Sequence, residues 1–84
     1  MLTFIAARID RHEIILINAR LDGYPANFQV DPAAIDAFFG VETGNADAAL
    51  ALLEAEWKRI AAALEKLVRR FGNDFLATPE LLKR

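Results

Sequence analysis

The sequence predicts an α+β fold in which a three-stranded antiparallel β-meander is followed by a short and a long α-helix (β-β-β-α-α) packed on one face of the sheet. Three observations support it: an Asp-Gly turn between two alternating segments, a Pro start and a Gly stop around the next apolar segment, and heptad spacing of apolar residues after that. The 84 residues suffice for a single domain, residues 1–84, near the small end of the range that folds without disulfides or metals.

The strongest local signal is Asp22-Gly23, because both residues tolerate the positive φ that a two-residue type I′ turn requires. Such a short loop fixes the register of the strands that it joins, and alternation then places four facing pairs on one apolar side. These pairs are Leu21 with Tyr24, Ala19 with Ala26, Ile17 with Phe28, and Ile15 with Val30. Pro25 cannot donate a ladder hydrogen bond, which favours an edge position for the third strand.

The segment from Leu2 to Ile9 is predicted to be the first strand, with a register that depends on the loop after it. A loop with an odd number of residues divides the strand between the apolar side (Ile5, Ala7, Ile9) and the back of the sheet (Leu2, Phe4, together with Ile14 and Leu16). An even loop would instead place Arg8 among apolar side chains, at a cost in desolvation. We therefore favour the odd loop. The apolar run 14–17 indicates a central strand covered on both faces.

Two helices are predicted after the sheet. Asp31 is a good N-cap, Pro32 a good first helical residue and Gly40 a left-handed stop, so the first helix is short. The second, Ala46–Phe71, carries apolar residues at alternating spacings of three and four over three heptads. These residues are Leu50, Leu53, Trp57, Ile60, Leu64, Leu67 and Phe71. Beyond Gly72, the chain is predicted to be extended over 75–78, with a last turn from residue 79.

The length of the second helix suggests an interface. At 1.5 Å per residue it would be about 39 Å long, whereas strands of seven or eight residues span only about 25 Å. Leu64, Leu67 and Phe71 would then overhang the sheet and need a cover. The C-terminal segment and a second subunit are both candidates, and we favour the second subunit, which predicts a homodimer. Phe4 and Leu16, on the back of the sheet, are further candidate interface residues.

The residue types give little support to catalysis. The chain has no cysteine and no serine, which excludes disulfides, thiolate metal sites and a serine nucleophile. Its one histidine, His12, lies in a predicted turn without an orienting partner. No acidic spacing resembles a calcium loop, and the scattered glycines form no phosphate-binding loop. We expect no catalytic residue, no metal site and no cofactor.

A basic set in the C-terminal half raises the alternative of nucleic-acid contact. Its main members are Arg59, Lys66, Arg69 and Arg70, and Lys58, Lys83 and Arg84 extend it. Glutamates interleave with these cations, and the pairs Glu54–Lys58 and Glu65–Arg69 have the spacing of helical ion pairs. The net charge is −2, which gives no reason to expect polyanion binding as the main activity. The pattern favours a solvated helix face.

Three short motifs stand out between Ile14 and Arg70: Leu21-Asp22-Gly23 at the turn, Phe39-Gly40 at the helix stop and Lys58-Arg59-Ile60 in the long helix. In these motifs and in the order of its parts, the chain resembles a small bacterial family catalogued as domain of unknown function 1488. Asp31-Pro32 stands where the family begins its helix with serine. The resemblance implies a small α+β domain in the bacterial cytosol, and it implies no activity, catalytic residue or cofactor.

The sequence therefore predicts a non-enzymatic interaction or regulatory module, homodimeric through its long helix and able to bind a further protein partner. The alternative is a nucleic-acid-associated regulator that uses the basic face of that helix. No apolar run is long enough for a signal peptide or a membrane span, so we expect a cytoplasmic protein without membrane contact.

Overall fold

The fold is an α+β arrangement with a four-stranded mixed sheet, and the computed structural model describes residues 1–82. In chain order, the elements are β1 (Leu2–Ile9), β2 (Ile15–Leu21), β3 (Tyr24–Val30), α1 (Pro32–Phe39), α2 (Ala46–Ala55), α3 (Trp57–Phe71), β4 (Leu76–Ala77) and α4 (Pro79–Leu82). The strand order is β1-β2-β3-β4, with antiparallel pairing of the first three strands and parallel pairing of β4 with β3. The predicted meander is confirmed, but the sheet has a fourth strand and the helices are more numerous than predicted.

The hairpin of β2 and β3 has the predicted register throughout. Asp22 (φ 52°) and Gly23 (φ 89°) both adopt the left-handed conformation that a type I′ turn requires. All four predicted pairs form, from Leu21 opposite Tyr24 to Ile15 opposite Val30. The predicted edge position of β3 holds only for its first part, because β4 pairs with Gln29 and Val30 at the other end of the strand.

Strand β1 contains a β-bulge that the sequence did not predict. The pairing with β2 shifts register between Phe4 and Ala6, which inserts one extra residue and switches the side to which the following residues point. Ala7 and Ile9 lie on the core side, as the odd loop predicts. The prediction for Leu2 and Phe4 is wrong, because they also lie on the core side, before the bulge. Ile5, which was predicted on the apolar side, is 45% exposed.

Residues 1–82 cover one face of the sheet and leave the other face open. Inward-facing residues of the strands join residues of all four helices in one hydrophobic core. The opposite face, which we call the open sheet face, carries the exposed side chains of Asn18, Asn27 and Gln29. Leu16 lies on the same face and is half-buried. Strand β2 is central, as predicted, but the prediction that both of its faces are covered is wrong. An antiparallel sheet with one solvated face commonly shows this alternation.

Helix α1 has the predicted boundaries. The Asp31 side chain accepts a hydrogen bond from the Ala33 N–H at 2.9 Å, and Pro32 follows at the first helical position. Gly40 ends the helix with a φ of 69°, and its N–H donates to the carbonyl oxygen of Asp36.

The predicted long helix is broken at Glu56, whose φ of −113° and ψ of 26° are not helical. Trp57, the first residue of α3, packs its ring 5.1 Å from the Phe4 ring centroid and donates its indole N–H to the Leu2 carbonyl at 3.3 Å. As a result, α3 has 15 residues and a length of about 22 Å, which is no longer than the sheet. The overhang expected from a single 26-residue helix is therefore absent.

The C-terminal segment completes the sheet and the core. The Gln29 N–H donates to the Phe75 carbonyl at 2.9 Å, and the Asp31 N–H donates to the Ala77 carbonyl at 3.0 Å. The Phe75 ring stacks on Phe28 with a centroid distance of 5.0 Å, and Leu82 is buried in the same core. The predicted extended piece and last turn are confirmed. The sequence left open whether this segment or a second subunit covers the end of the long helix, and in the structure this segment packs there.

Candidate interaction surfaces

The residues predicted to form a helical interface lie mostly inside the chain itself. Leu64 is 0% exposed and Leu67 is 7% exposed, since α3 packs both against the core. Phe4 lies on the core side against Trp57 rather than on the back of the sheet. Leu16 is on the open sheet face, and Phe71 is 43% exposed at the end of α3. Of the five residues, only Leu16 and Phe71 remain accessible for a partner in the way that was expected.

Three of the predicted basic residues line a common groove on α3. Arg59, Lys66 and Arg70 border a groove of about 580 Å³, which we call the basic groove. Its floor and its apolar walls come from α1, α3 and α4, and consist of Phe38, Ala62, Ala63, Leu67, Leu81 and Leu82. Together with the three cations, the α3 residues of the groove are separated by three or one in alternation, so they form one face of that helix.

The cations of the basic groove are only partly neutralised. Arg59 Nη1 lies 3.5 Å from Glu56 Oε1, and its guanidinium lies 5.1 Å from the centroid of the Phe39 ring. Arg70 lies 5.1 Å from the centroid of the Phe71 ring. Within residues 1–82, neither Lys66 nor Arg70 has an acidic group within 4.0 Å. The groove therefore combines apolar walls with two cations, Lys66 and Arg70, that have no acidic partner among residues 1–82. Lys83 and Arg84, which extended the predicted basic set, lie outside the described residues.

Arg69 belongs to a different part of the surface, because it points to the β2–β3 turn. Its Nη2 lies 2.9 Å from Asp22 Oδ2 and 3.0 Å from Glu65 Oε2, which confirms the predicted Glu65–Arg69 pair. The Met1 amino group lies 2.5 Å from Asp22 Oδ1 and 3.6 Å from Glu65 Oε1. We call these four groups the turn network. Because Arg69 is paired within this network, its charge is not available to a binding partner as those of Lys66 and Arg70 are.

The turn network shifts the pKa values of its members. Hydrogen bonds from the Met1 amino group and then from Arg69 lower the pKa of Asp22 below 3.8. The hydrogen bond from Arg69 lowers the pKa of Glu65 below 4.5. Asp22 and Glu65 in turn raise the pKa of Arg69. The Glu65–Arg69 pair can be predicted from its helical spacing. The Asp22–Arg69 pair cannot, because the two residues are 47 apart in the sequence.

Besides the basic groove, a concave region of about 540 Å³ lies on the open sheet face. Leu16 lies near its centre, between Arg8 on β1 and Gln29 on β3 in the same row of pairs. Asn18 and Asn27 form the next row. The polar groups that line this region are amides, the Arg8 guanidinium and the Asp74 carboxylate, so it can exchange hydrogen bonds with water or with a polar partner.

No catalytic constellation is visible around His12. The residue is exposed in the β1–β2 loop, and its backbone N–H donates to Asp10 Oδ1 at 2.8 Å. Its imidazole makes no hydrogen bond or ion pair within residues 1–82, so no hydrogen-bonded partner there orients it as a base. In the same part of the chain, no group of three or more histidine or acidic residues could hold a metal ion.

Comparisons of the chain with protein-family models, curated proteins and solved structures found no match. The resemblance to domain of unknown function 1488 therefore stays a prediction. Among the described helices, none has the length and apolar character needed to cross a bilayer.

Proposed function

We propose that this chain is a small non-enzymatic interaction module and that the basic groove is its binding surface. The observation that carries the proposal is the pairing state of two groove cations. Lys66 and Arg70 lie beside the apolar walls of the basic groove and have no acidic partner among residues 1–82. The whole chain has a net charge of −2, so this local positive charge runs against the overall balance. Such a surface attracts an acidic partner and offers apolar contact once the partner is bound.

The shape of the groove fits a helix better than a flat surface. Its residues on α3 follow a helical face, and α4 provides an opposite wall with Leu81 and Leu82. Ala62 and Ala63 on the floor are small, so the backbone of a partner can approach α3 closely. A helix laid in a groove by one apolar stripe, with charges at its border, is a common mode of recognition.

A photo-cross-linking amino acid placed at position 62 in the source cell tests this proposal, because it also captures weak complexes. We expect adducts from position 62. Replacing the three groove cations (Arg59→Gln, Lys66→Gln, Arg70→Gln) should remove most of them, since the partner loses its charge contacts. The matched control, Arg8→Gln with Arg11→Gln and Lys58→Gln, changes the net charge equally outside the groove and should keep them. Equal adduct yields from both triple variants would rule out the groove as the binding surface.

A nucleic-acid-associated regulator is the second candidate function, since the same three cations favour it. Three phosphate contacts predict that the logarithm of affinity falls with the logarithm of salt concentration with a slope of roughly −2.7. The structure weakens this candidate in one respect, because Arg69 is engaged by Asp22 and Glu65. The measurement is titration of a random DNA duplex at low salt. Absence of binding there would eliminate the regulator hypothesis.

A further inference from the structure

Helix α2 carries an acidic face that complements the basic groove. Asp47 and Glu54 are exposed on α2, with the exposed residues Ala51 and Ala55 on the same helical face. Within residues 1–82, neither carboxylate makes an ion pair or a side-chain hydrogen bond. Glu54 was predicted to pair with Lys58, but the break at Glu56 separates them onto different helices.

The spacing of charges on the two surfaces is the same. Asp47 and Glu54 are seven residues apart on α2, and Arg59 and Lys66 are seven residues apart on α3. Each interval corresponds to two helical turns, or about 10 Å along the axis. Alanine lies between the charges on both helices, which allows close helix packing with the charges aligned.

From this complementarity we infer that α2 of a second copy of the chain occupies the basic groove, which rests on the proposed role of the groove as a binding surface. In an antiparallel crossing, Asp47 of one copy lies near Lys66 of the other, and Glu54 lies near Arg59. About a two-fold axis, each copy gives one α2 and receives one, so that the assembly closes at two copies. The homodimer expected from the sequence then forms through a different surface from the heptad seam.

The dimer is weak and depends on salt. Exposed ion pairs each contribute little, and α2 is only ten residues long, so we expect a dissociation constant on the order of 10–100 μM at low salt. Ions at high concentration screen exposed charges over a few ångströms, so the dimer should dissociate in about 0.5 M salt.

Charge reversal with mixing tests the inference by sedimentation velocity. One variant carries Arg59→Glu with Lys66→Glu, and the other carries Asp47→Lys with Glu54→Lys. Each alone should be monomeric at concentrations where the unmodified chain is a dimer, because its groove and its α2 then have the same sign. An equal mixture should restore a heterodimer to within about threefold of the original affinity, since both contacts become attractive again. A control with Arg11→Glu and Lys58→Glu should dimerise normally.

Two results would overturn the inference. If each charge-reversed variant alone dimerises as the unmodified chain does, the dimer uses another surface, such as the open sheet face. If the chain remains monomeric at about 1 mM in low salt while position 62 still cross-links through the groove cations, the occupant is an acidic helix of another protein. In that second case the proposed function stands, whereas equal adduct yields from the groove and control variants would remove the proposed function itself. Thermal melts of both charge-reversed variants serve as the check that they remain folded.

Discussion

Asp22 has two roles, one in the backbone and one in the turn network. Its φ of 52° suits the type I′ turn, and its carboxylate accepts from the Met1 amino group and from Arg69. The residue type therefore serves the hairpin locally and joins that hairpin to α3. Only the first role can be predicted from the sequence, because the turn chemistry lies within a few residues, whereas the contact with Arg69 depends on the finished fold.

Replacing Asp22 by Asn separates these roles, since Asn also tolerates positive φ but carries no charge. The pKa values of Asp22 and Glu65 are lowered in the folded state, so their contribution to stability is present above the unfolded values of 3.8 and 4.5. It is lost as the pH falls below these values and through the folded pKa values. We expect urea midpoints of the original chain to fall more steeply than those of Asp22→Asn between pH 5 and pH 3.

Equal pH dependence of the two proteins would contradict this role of the turn network. A useful control is Asp74→Asn, because Asp74 also has a positive φ and an exposed side chain but lies outside the network. Its pH dependence should match that of the original chain.

At the scale of elements, the heptad seam predicts which side of the long segment is buried, but it does not predict the shape of that segment. Leu53, Ile60 and Leu64 are fully buried, as the seam implies. The break at Glu56 has no Gly or Pro to announce it, and the apolar spacing continues through it. The hydrogen bond from Trp57 to Leu2 joins residues 55 apart, so the interactions at the break are long-range.

The burial of the seam changes what its substitutions should do. Leu64→Ala should lower the free energy of unfolding by about 3 kcal/mol, because it leaves a cavity in the core of a single chain. Phe71→Ala should cost much less, since that ring is 43% exposed at the end of α3. Urea denaturation at two protein concentrations checks both values. A Leu64→Ala protein of unchanged stability that only loses self-association would show instead that the seam is an interface.

The bulge in β1 and the strand β4 limit prediction in the same way. One extra residue near Ile5 lets Leu2, Phe4, Ala7 and Ile9 all face the core, and no single loop length could give that result. The apolar character of 75–78 predicts an extended piece, but its parallel pairing with β3 depends on where α3 ends. The hairpin register can therefore be predicted from the local turn, whereas the bulge in β1 and the pairing of β4 depend on tertiary contacts.

At the scale of the whole molecule, the fold separates charge between two helices. The sheet and the helices share one core, α3 presents cations along the basic groove, and α2 presents carboxylates that lack partners among residues 1–82. The sequence predicts the basic set that includes the groove cations. It does not predict that Arg59, Lys66 and Arg70 line one groove while Arg69 lies elsewhere. The acidic face of α2 was missed because the predicted Glu54–Lys58 pair assumed an unbroken helix.

The most direct test of the central claim, that α2 of one copy lies in the basic groove of another, is to follow backbone amide chemical shifts by NMR while the protein is diluted at low salt. We predict that the amides of Ala62 and Lys66 shift together with those of Asp47 and Ala51, with a single dissociation constant, while Asn18 and Asn27 on the open sheet face stay unchanged. Shifts confined to the open sheet face, or none between about 1 mM and 20 μM, would contradict the claim.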